Sequence, residues 1–170
     1  ALDKTDDDTL PIVPVYVMVG EKLIGALHLT DEIRHDAKKT IRMLRGQGIR
    51  RVAMLPGDRR RTAELVARQV GCDEVFAELL PGQKVDIVRS LQRGGHGVCM
   101  VGDGINDAPS LAAASVGVAM GVRGTDVAIQ AADAVLLKDD LTRVPLLIYL
   151  ARQTRRAIFQ NLIFAMLFAG

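Results

Sequence analysis

A doubly wound parallel α/β sheet is the fold this sequence predicts, and three observations predict it. Short apolar, β-branched runs alternate with helical periodicity from Ile49 to Leu137, the pattern of strands joined by crossover helices. The run Gly97-Val98-Cys99-Met100-Val101 is continuously apolar, as suits a strand at the centre of a parallel sheet. Gly71 and Gly94-Gly95 close two of the intervening helical stretches.

The elements follow in order. Val13 to Val19 and Leu23 to Leu29 flank Gly20-Glu21-Lys22, a hairpin signal, so two antiparallel strands are expected there. Thr30 precedes Asp31-Glu32-Ile33, and Ile33, Ala37, Ile41 and Leu44 recur at helical spacing until Gly46 and Gly48. That predicts an amphipathic helix starting at a threonine cap. Strands are then expected at Val52 to Leu55, Glu74 to Ala77, Gly97 to Val101, Val116 to Ala119 and Ala134 to Leu137. Helices are expected at Arg61 to Val70, Gln83 to Leu91, Ala108 to Ala113 and Asp126 to Ala132. The domain organisation this implies is a polar leader or linker over 1–12, an α/β body over 13–140, and a helix over 141–170.

The last stretch, from Ala157 to Gly170, reads AIFQNLIFAMLFAG and is strongly apolar, with Arg155 and Arg156 before it as cytosolic-side anchors would stand. It is shorter than the roughly 20 residues a spanning helix needs. It therefore reads as the beginning of a truncated transmembrane helix, the alternative being a helix packed on the domain or on another subunit. No basic region followed by an apolar run and a cleavage site opens the chain, so no signal peptide is expected.

Composition excludes some classes. Lys and Arg number 22 against 20 Asp and Glu, a formal charge of +2 that gives no case for a nucleic-acid partner. Basic groups such as Arg59-Arg60-Arg61 sit beside apolar periodicity and read as solvated helix faces. Cys72 and Cys99 are far apart, which suggests neither a disulfide framework nor a zinc site and fits a reducing, cytosolic setting. His28, His35 and His96 are scattered and read as surface or core histidines.

In a doubly wound sheet, ligands bind beyond the carboxyl ends of the strands. The segment after the most apolar strand is Gly102-Asp103-Gly104-Ile105-Asn106-Asp107-Ala108-Pro109. Asp103 and Asp107 put two carboxylates on one tight loop, the hard oxygen donors that hold magnesium together with waters and a phosphate oxygen. Asn106 offers an amide donor to a phosphoryl oxygen without adding charge. Asp and Asn beside Gly are also ordinary turn residues, but the full octapeptide after a buried strand favours the metal reading. Lys84 follows Pro81 at a helix start, where its ammonium either neutralises charge on the same phosphate or is simply solvated. Gly57-Asp58 ends another strand, where backbone amides can approach an anion at the next helix or merely make a turn.

These segments, in this order along the chain, resemble the phosphorylation domain of P-type ATPases, a branch of the haloacid dehalogenase superfamily. The resemblance runs from Val13 to Gly170 and is nearest to the heavy-metal-transporting ATPases. It is carried by Val15-Tyr16-Val17 through Gly25, Ile49 to Arg61, Glu74 to Lys84, the GDGINDAP loop and Gly124-Thr125-Asp126-Val127-Ala128. It implies a cation pump phosphorylated on an aspartate by ATP and dephosphorylated by water. Asp103 and Asp107 would hold Mg2+, Asn106 and Lys84 would contact the phosphoryl group, and Gly57-Asp58 would belong to the loop facing it. Thr125 and Asp126 carry over as structural residues only. The partners implied are the nucleotide-binding and transmembrane parts of the same protein, the cell membrane with this domain on its cytoplasmic side, and the transported metal cation. The stretch from Leu141 to Gly170 would couple the domain to that membrane.

Two departures stand against this pattern. The family's phosphorylated aspartate lies in D-K-T-G-T, whereas this chain has Asp3-Lys4-Thr5-Asp6-Asp7, whose added carboxylates would repel a phosphate. Asp3 therefore reads as a coincidental match, with the nucleophile on sequence outside this chain, which leaves the chain incomplete as an enzyme and inactive alone. Where the family has T-G-D, this chain has Pro56-Gly57-Asp58, and proline has neither a hydroxyl nor a backbone donor. Two alternatives stand beside this reading: a soluble phosphatase using Asp3, against which the altered motif and the apolar terminus count, and a non-catalytic magnesium- or phosphate-binding module, which Pro56 keeps open.

Overall fold

Strand and helix do alternate along the folded chain, and this computed structural model describes residues 13–29, 32–102, 105–121 and 126–169. The elements are β1 (Val13–Val19), β2 (Lys22–Leu29), α1 (Ala37–Gly46), β3 (Ala53–Met54), α2 (Arg60–Val70), β4 (Glu74–Val75) and α3 (Pro81–Arg93). Then come β5 (Cys99–Gly102), a 3-10 turn at Ile105–Asp107, α4 (Ala108–Ala113), β6 (Val116–Met120), α5 (Asp126–Ala131), β7 (Ala134–Leu136) and α6 (Arg143–Ala169). Asp3, Asp103, Gly104, Gly124 and Thr125 lie outside the described residues.

The expected hairpin is present, with Val13 opposite Leu29 and an irregularity between Val17 and Met18. Its residues from Pro14 to His28 are all exposed. The body is parallel α/β, as expected. Among the described residues its strands form two parallel sheets, β3–β4 and β5–β6–β7. The two-residue strands β3 and β4 give their sheet few ladder bonds, and among the described residues the second sheet has the order β5–β6–β7. Among the described residues the 97–101 run pairs on one side, with β6. β6 holds the middle of its sheet, and Gly117 to Met120 are buried there, whereas Cys99 is exposed.

The core forms around Leu111, Ala119 and Ala128, with Met100, Ala131, Ala132 and Val135 packed against them. Leu111, with no exposed surface, is worth roughly 1.5–3 kcal/mol of burial. Gly117 lets α4 settle on β6, because an added Cβ would stand 2.6 Å from the Leu111 carbonyl oxygen.

Two further expectations change. The first helix begins at Ala37 rather than at a Thr30 cap. Asp36 stands at its N-cap position without capping it, because its carboxylate is bound to Arg34 and to the Leu141 amide instead. A C-terminal helix that enters a membrane is not supported: no helix among the described residues is long and apolar enough to cross one. α6 is long, but Arg143, Arg152, Arg155 and Arg156 interrupt it.

Candidate active site

Two helix starts and one strand end build the site. β5 ends at Gly102, and the 3-10 turn delivers Asn106 and Asp107 directly into α4. Asp107 is the N-cap residue of α4, yet its side chain makes no cap bond. Its Oδ1 instead accepts from Lys84 Nζ at 2.7 Å, with the two side chains only 16% and 11% exposed. Gly102 makes room for this. A Cβ there would lie 2.7 Å from Asp107 Cβ and 2.9 Å from Oδ2, so the carboxylate rests on bare backbone.

Lys84 reaches that position because α3 starts where it does. Pro81 occupies the first turn, where its fixed φ suits a helix and its missing donor costs nothing. Gln83 Oε1 accepts from the Leu80 N–H at 2.8 Å, and the Lys84 N–H donates to the Leu80 carbonyl at 3.2 Å. The lysine stem is then buried while the ammonium meets the carboxylate.

The third loop, Pro56-Gly57-Asp58, is tied to the segment that leads into α3. The Leu79 N–H donates to the Pro56 carbonyl at 3.3 Å, and the Glu78 N–H donates to the Asp58 carbonyl at 3.0 Å. Gly57 and Asp58 are exposed ahead of α2. The structure thus joins Lys84 and Asp107 directly and sets Asn106, also exposed, in the same turn as Asp107. Gly57 and Asp58 are linked to the pair through residues 78–81. Among the described residues, no group of three or more His, Cys, Asp or Glu side chains stands together as a metal cluster would.

Sequence reasoning missed a second charged group. Arg34 donates to Asp36 at 3.2 and 3.3 Å, to Asp139 Oδ1 at 2.6 Å and to the Asp139 carbonyl at 2.9 Å. Asp36, 5% exposed, also accepts the Leu141 N–H at 2.8 Å. Burial alone would push the Asp36 carboxyl up, but the Arg34 guanidinium and the Leu141 amide outweigh it and hold the group below its ordinary value. Nothing in the local sequence signals a contact between residues so far apart. Burial, helped by the charge of Asp73, pushes the Cys72 thiol up, in keeping with an inert cysteine.

The haloacid dehalogenase-like hydrolase model matches residues 2–115, and the chain belongs to that family. Within it, the sequence is similar to metal-transporting P-type ATPases. Copper-transporting ATPase 1 of Rhizobium meliloti is 47% identical over 152 residues, which cover 89% of this chain and 18% of that protein. The zinc-exporting P-type ATPase of Mycobacterium marinum is 49% identical over 131 residues, 77% of this chain and 18% of that protein. Among solved structures, a zinc-transporting PIB-type ATPase superposes with a TM-score of 0.76 at 40% identity, over 89% of this chain and 24% of that one. The chain thus spans less than a fifth of the length of these two curated relatives.

Proposed function

We propose that this chain is the magnesium- and phosphate-handling part of a heavy-metal-transporting P-type ATPase, which forms and hydrolyses an aspartyl-phosphate. The observation that carries the reading is the Lys84–Asp107 pair at 2.7 Å, shielded from water where the starts of α3 and α4 converge. A cation and a carboxylate held together in low dielectric are preorganised to take a phosphoryl group and its counter-ion without rearranging.

The residues present fit magnesium. Asp107 Oδ1 is engaged by Lys84, while Oδ2 lies over Gly102 in a space that a side chain there would fill. Magnesium keeps several waters and takes few protein ligands, so Asp107 with Asp103 suffices and a larger acidic cluster is not needed. When bound, the ion neutralises phosphate oxygens and orients them. Lys84 balances negative charge on the transferring group, Asn106 donates to a phosphoryl oxygen, and Gly57-Asp58 presents backbone amides to it. On this reading residues 13–140 form the α/β body, 1–12 are a polar leader or linker, and α6 joins the body to the rest of the transporter. The nucleotide-binding and membrane parts, the aspartate nucleophile, ATP as substrate and the metal cargo all belong to the longer protein. That protein would sit in the cell membrane with this part on the cytoplasmic side. The similar proteins named above carry copper and zinc in their names, so only the class of cargo is proposed.

Isothermal titration of magnesium with inorganic phosphate present tests the reading, using the unaltered chain, Asp103→Ala and Asp107→Ala. Binding lost in both variants is the expected result, and binding retained in both refutes it. A second reading, a soluble phosphatase using Asp3, draws on the family match beginning at residue 2 and so including Asp3-Lys4-Thr5. Turnover of p-nitrophenyl phosphate by the chain, abolished in Asp3→Asn, would favour it.

A further inference from the structure

Glu78 has a φ of 59°, and no other non-glycine residue is found at positive φ among the described residues. Its side chain is exposed, so the unusual feature is its backbone. A lone left-handed residue that is not glycine costs energy, and it persists where the surroundings fix it.

The ladder shows what the turn accomplishes. β3 and β4 are parallel, and the Phe76 N–H donates to the Met54 carbonyl at 2.9 Å. Continuing by two residues on each strand would place the Glu78 N–H on the Pro56 carbonyl. Instead the Leu79 N–H takes Pro56, and the Glu78 N–H swings onto Asp58. The left-handed turn therefore slips the ladder by one residue and grips the 56–58 loop by two carbonyls. In a trans peptide the carbonyl and the following N–H point in opposite directions. Holding the Pro56 and Asp58 carbonyls toward Glu78 and Leu79 therefore aims the Gly57 and Arg59 N–H groups the other way. No hydrogen-bond partner takes the Gly57 N–H among the described residues.

We propose that Glu78 is a positioning residue: its left-handed turn aims the Gly57 and Arg59 amides at the bound phosphoryl group. This rests on the phosphate reading above. Pro56 supplies no hydroxyl, and Gly57 and an ionised Asp58 have no side-chain donor, so residues 56–58 can offer an anion only backbone donors and their aim sets how well they bind it. Glu78 touches no substrate atom and acts only through the loop.

The test is a titration of the 170-residue chain with inorganic phosphate in excess magnesium, followed by the 15N–1H resonances of its amides. In the unaltered chain the Gly57 and Arg59 amides should shift. Glu78→Gly and Glu78→Asn, which accept positive φ, should keep those shifts and bind within about twofold. Glu78→Val, whose branched side chain resists that conformation, should lose the Gly57 shift and bind about tenfold more weakly, with Val118 and Ala119 in the core unmoved. Should Glu78→Val not fold, Glu78→Ala carries the comparison with a smaller loss. Unchanged Gly57 shifts in Glu78→Val, or in Glu78→Ala where that variant stands in, overturn the inference and leave the phosphate reading intact. Shifts at Asn106 and Asp107 without any at Gly57 in the unaltered chain do the same. No response at any of these amides in the unaltered chain overturns both.

Discussion

Lys84 Nζ and Asp107 Oδ1 stand 2.7 Å apart across 23 positions of sequence, and each is largely withdrawn from water. Removing one member strands the other, which costs more than the pair itself contributes. Lys84→Met and Asp107→Asn should each destabilise the chain by about 1–3 kcal/mol. Thermal unfolding would show this as a melting point lower by about 2–4 °C per kcal/mol. The double variant should lose less than the sum of the two. Strict additivity would mean that the two groups are not coupled.

Gly102→Ala tests whether the carboxylate needs bare backbone beneath it. Its Cβ would press on Asp107 Cβ at 2.7 Å and on Oδ2 at 2.9 Å, so the turn that carries the aspartate would have to shift and disturb the contact with Lys84. Gly117→Ala is the control, because its clash is with the Leu111 carbonyl at 2.6 Å, away from the charged pair. Both should cost about 1–3 kcal/mol in denaturant titration. Only Gly102→Ala should cost less in the Asp107→Asn background than alone, because the part of its loss that comes from the Lys84 contact is already gone there. A combined loss equal to the sum would separate Gly102 from the pair.

Pro56→Thr should improve phosphate binding. The substitution keeps the carbonyl that Leu79 binds, and it adds a hydroxyl donor at the mouth of the loop. One hydrogen bond to a charged oxygen is worth about 1.5–3 kcal/mol, so calorimetry should find inorganic phosphate bound at least about tenfold more tightly. Equal affinities would mean that position 56 lies out of reach of the anion.

The order of strands and helices was legible because apolar periodicity is local, and Pro81, Gly71 and Gly94 punctuate it where the helices start and stop. Lys84 and Asp107 were legible as candidates because each follows a strand end, where an α/β fold collects its chemistry. What escaped was non-local. The late start of α1 depends on Asp36 choosing Arg34 and Leu141 over the cap, with Leu141 lying 105 positions away. The left-handed turn at Glu78 has no glycine or asparagine to announce it, since it is imposed by the loop it holds.

The Arg34–Asp36 contact predicts a dependence of stability on pH. Asp36 lies between the Arg34 guanidinium and the Leu141 N–H, and Asp139 faces the same guanidinium from the start of the α6 segment. Its folded carboxyl is held below its ordinary value, so the folded state binds a proton less readily than the unfolded chain. The stabilisation is therefore fully present above the unfolded value near pH 4 and is lost as pH falls through the folded value. Asp36→Asn should cost about 1–3 kcal/mol at pH 7, measured by urea unfolding. The gap between the two proteins should narrow steadily below pH 4 as the natural carboxylate takes up its proton. Arg34→Leu should remove much of that pH-dependent part, because the guanidinium opposes protonation, while the Leu141 N–H keeps the rest. A gap that stays constant from pH 7 to pH 3 would mean that neither the ion pair nor the Leu141 hydrogen bond favours the charged carboxylate, and would overturn the prediction.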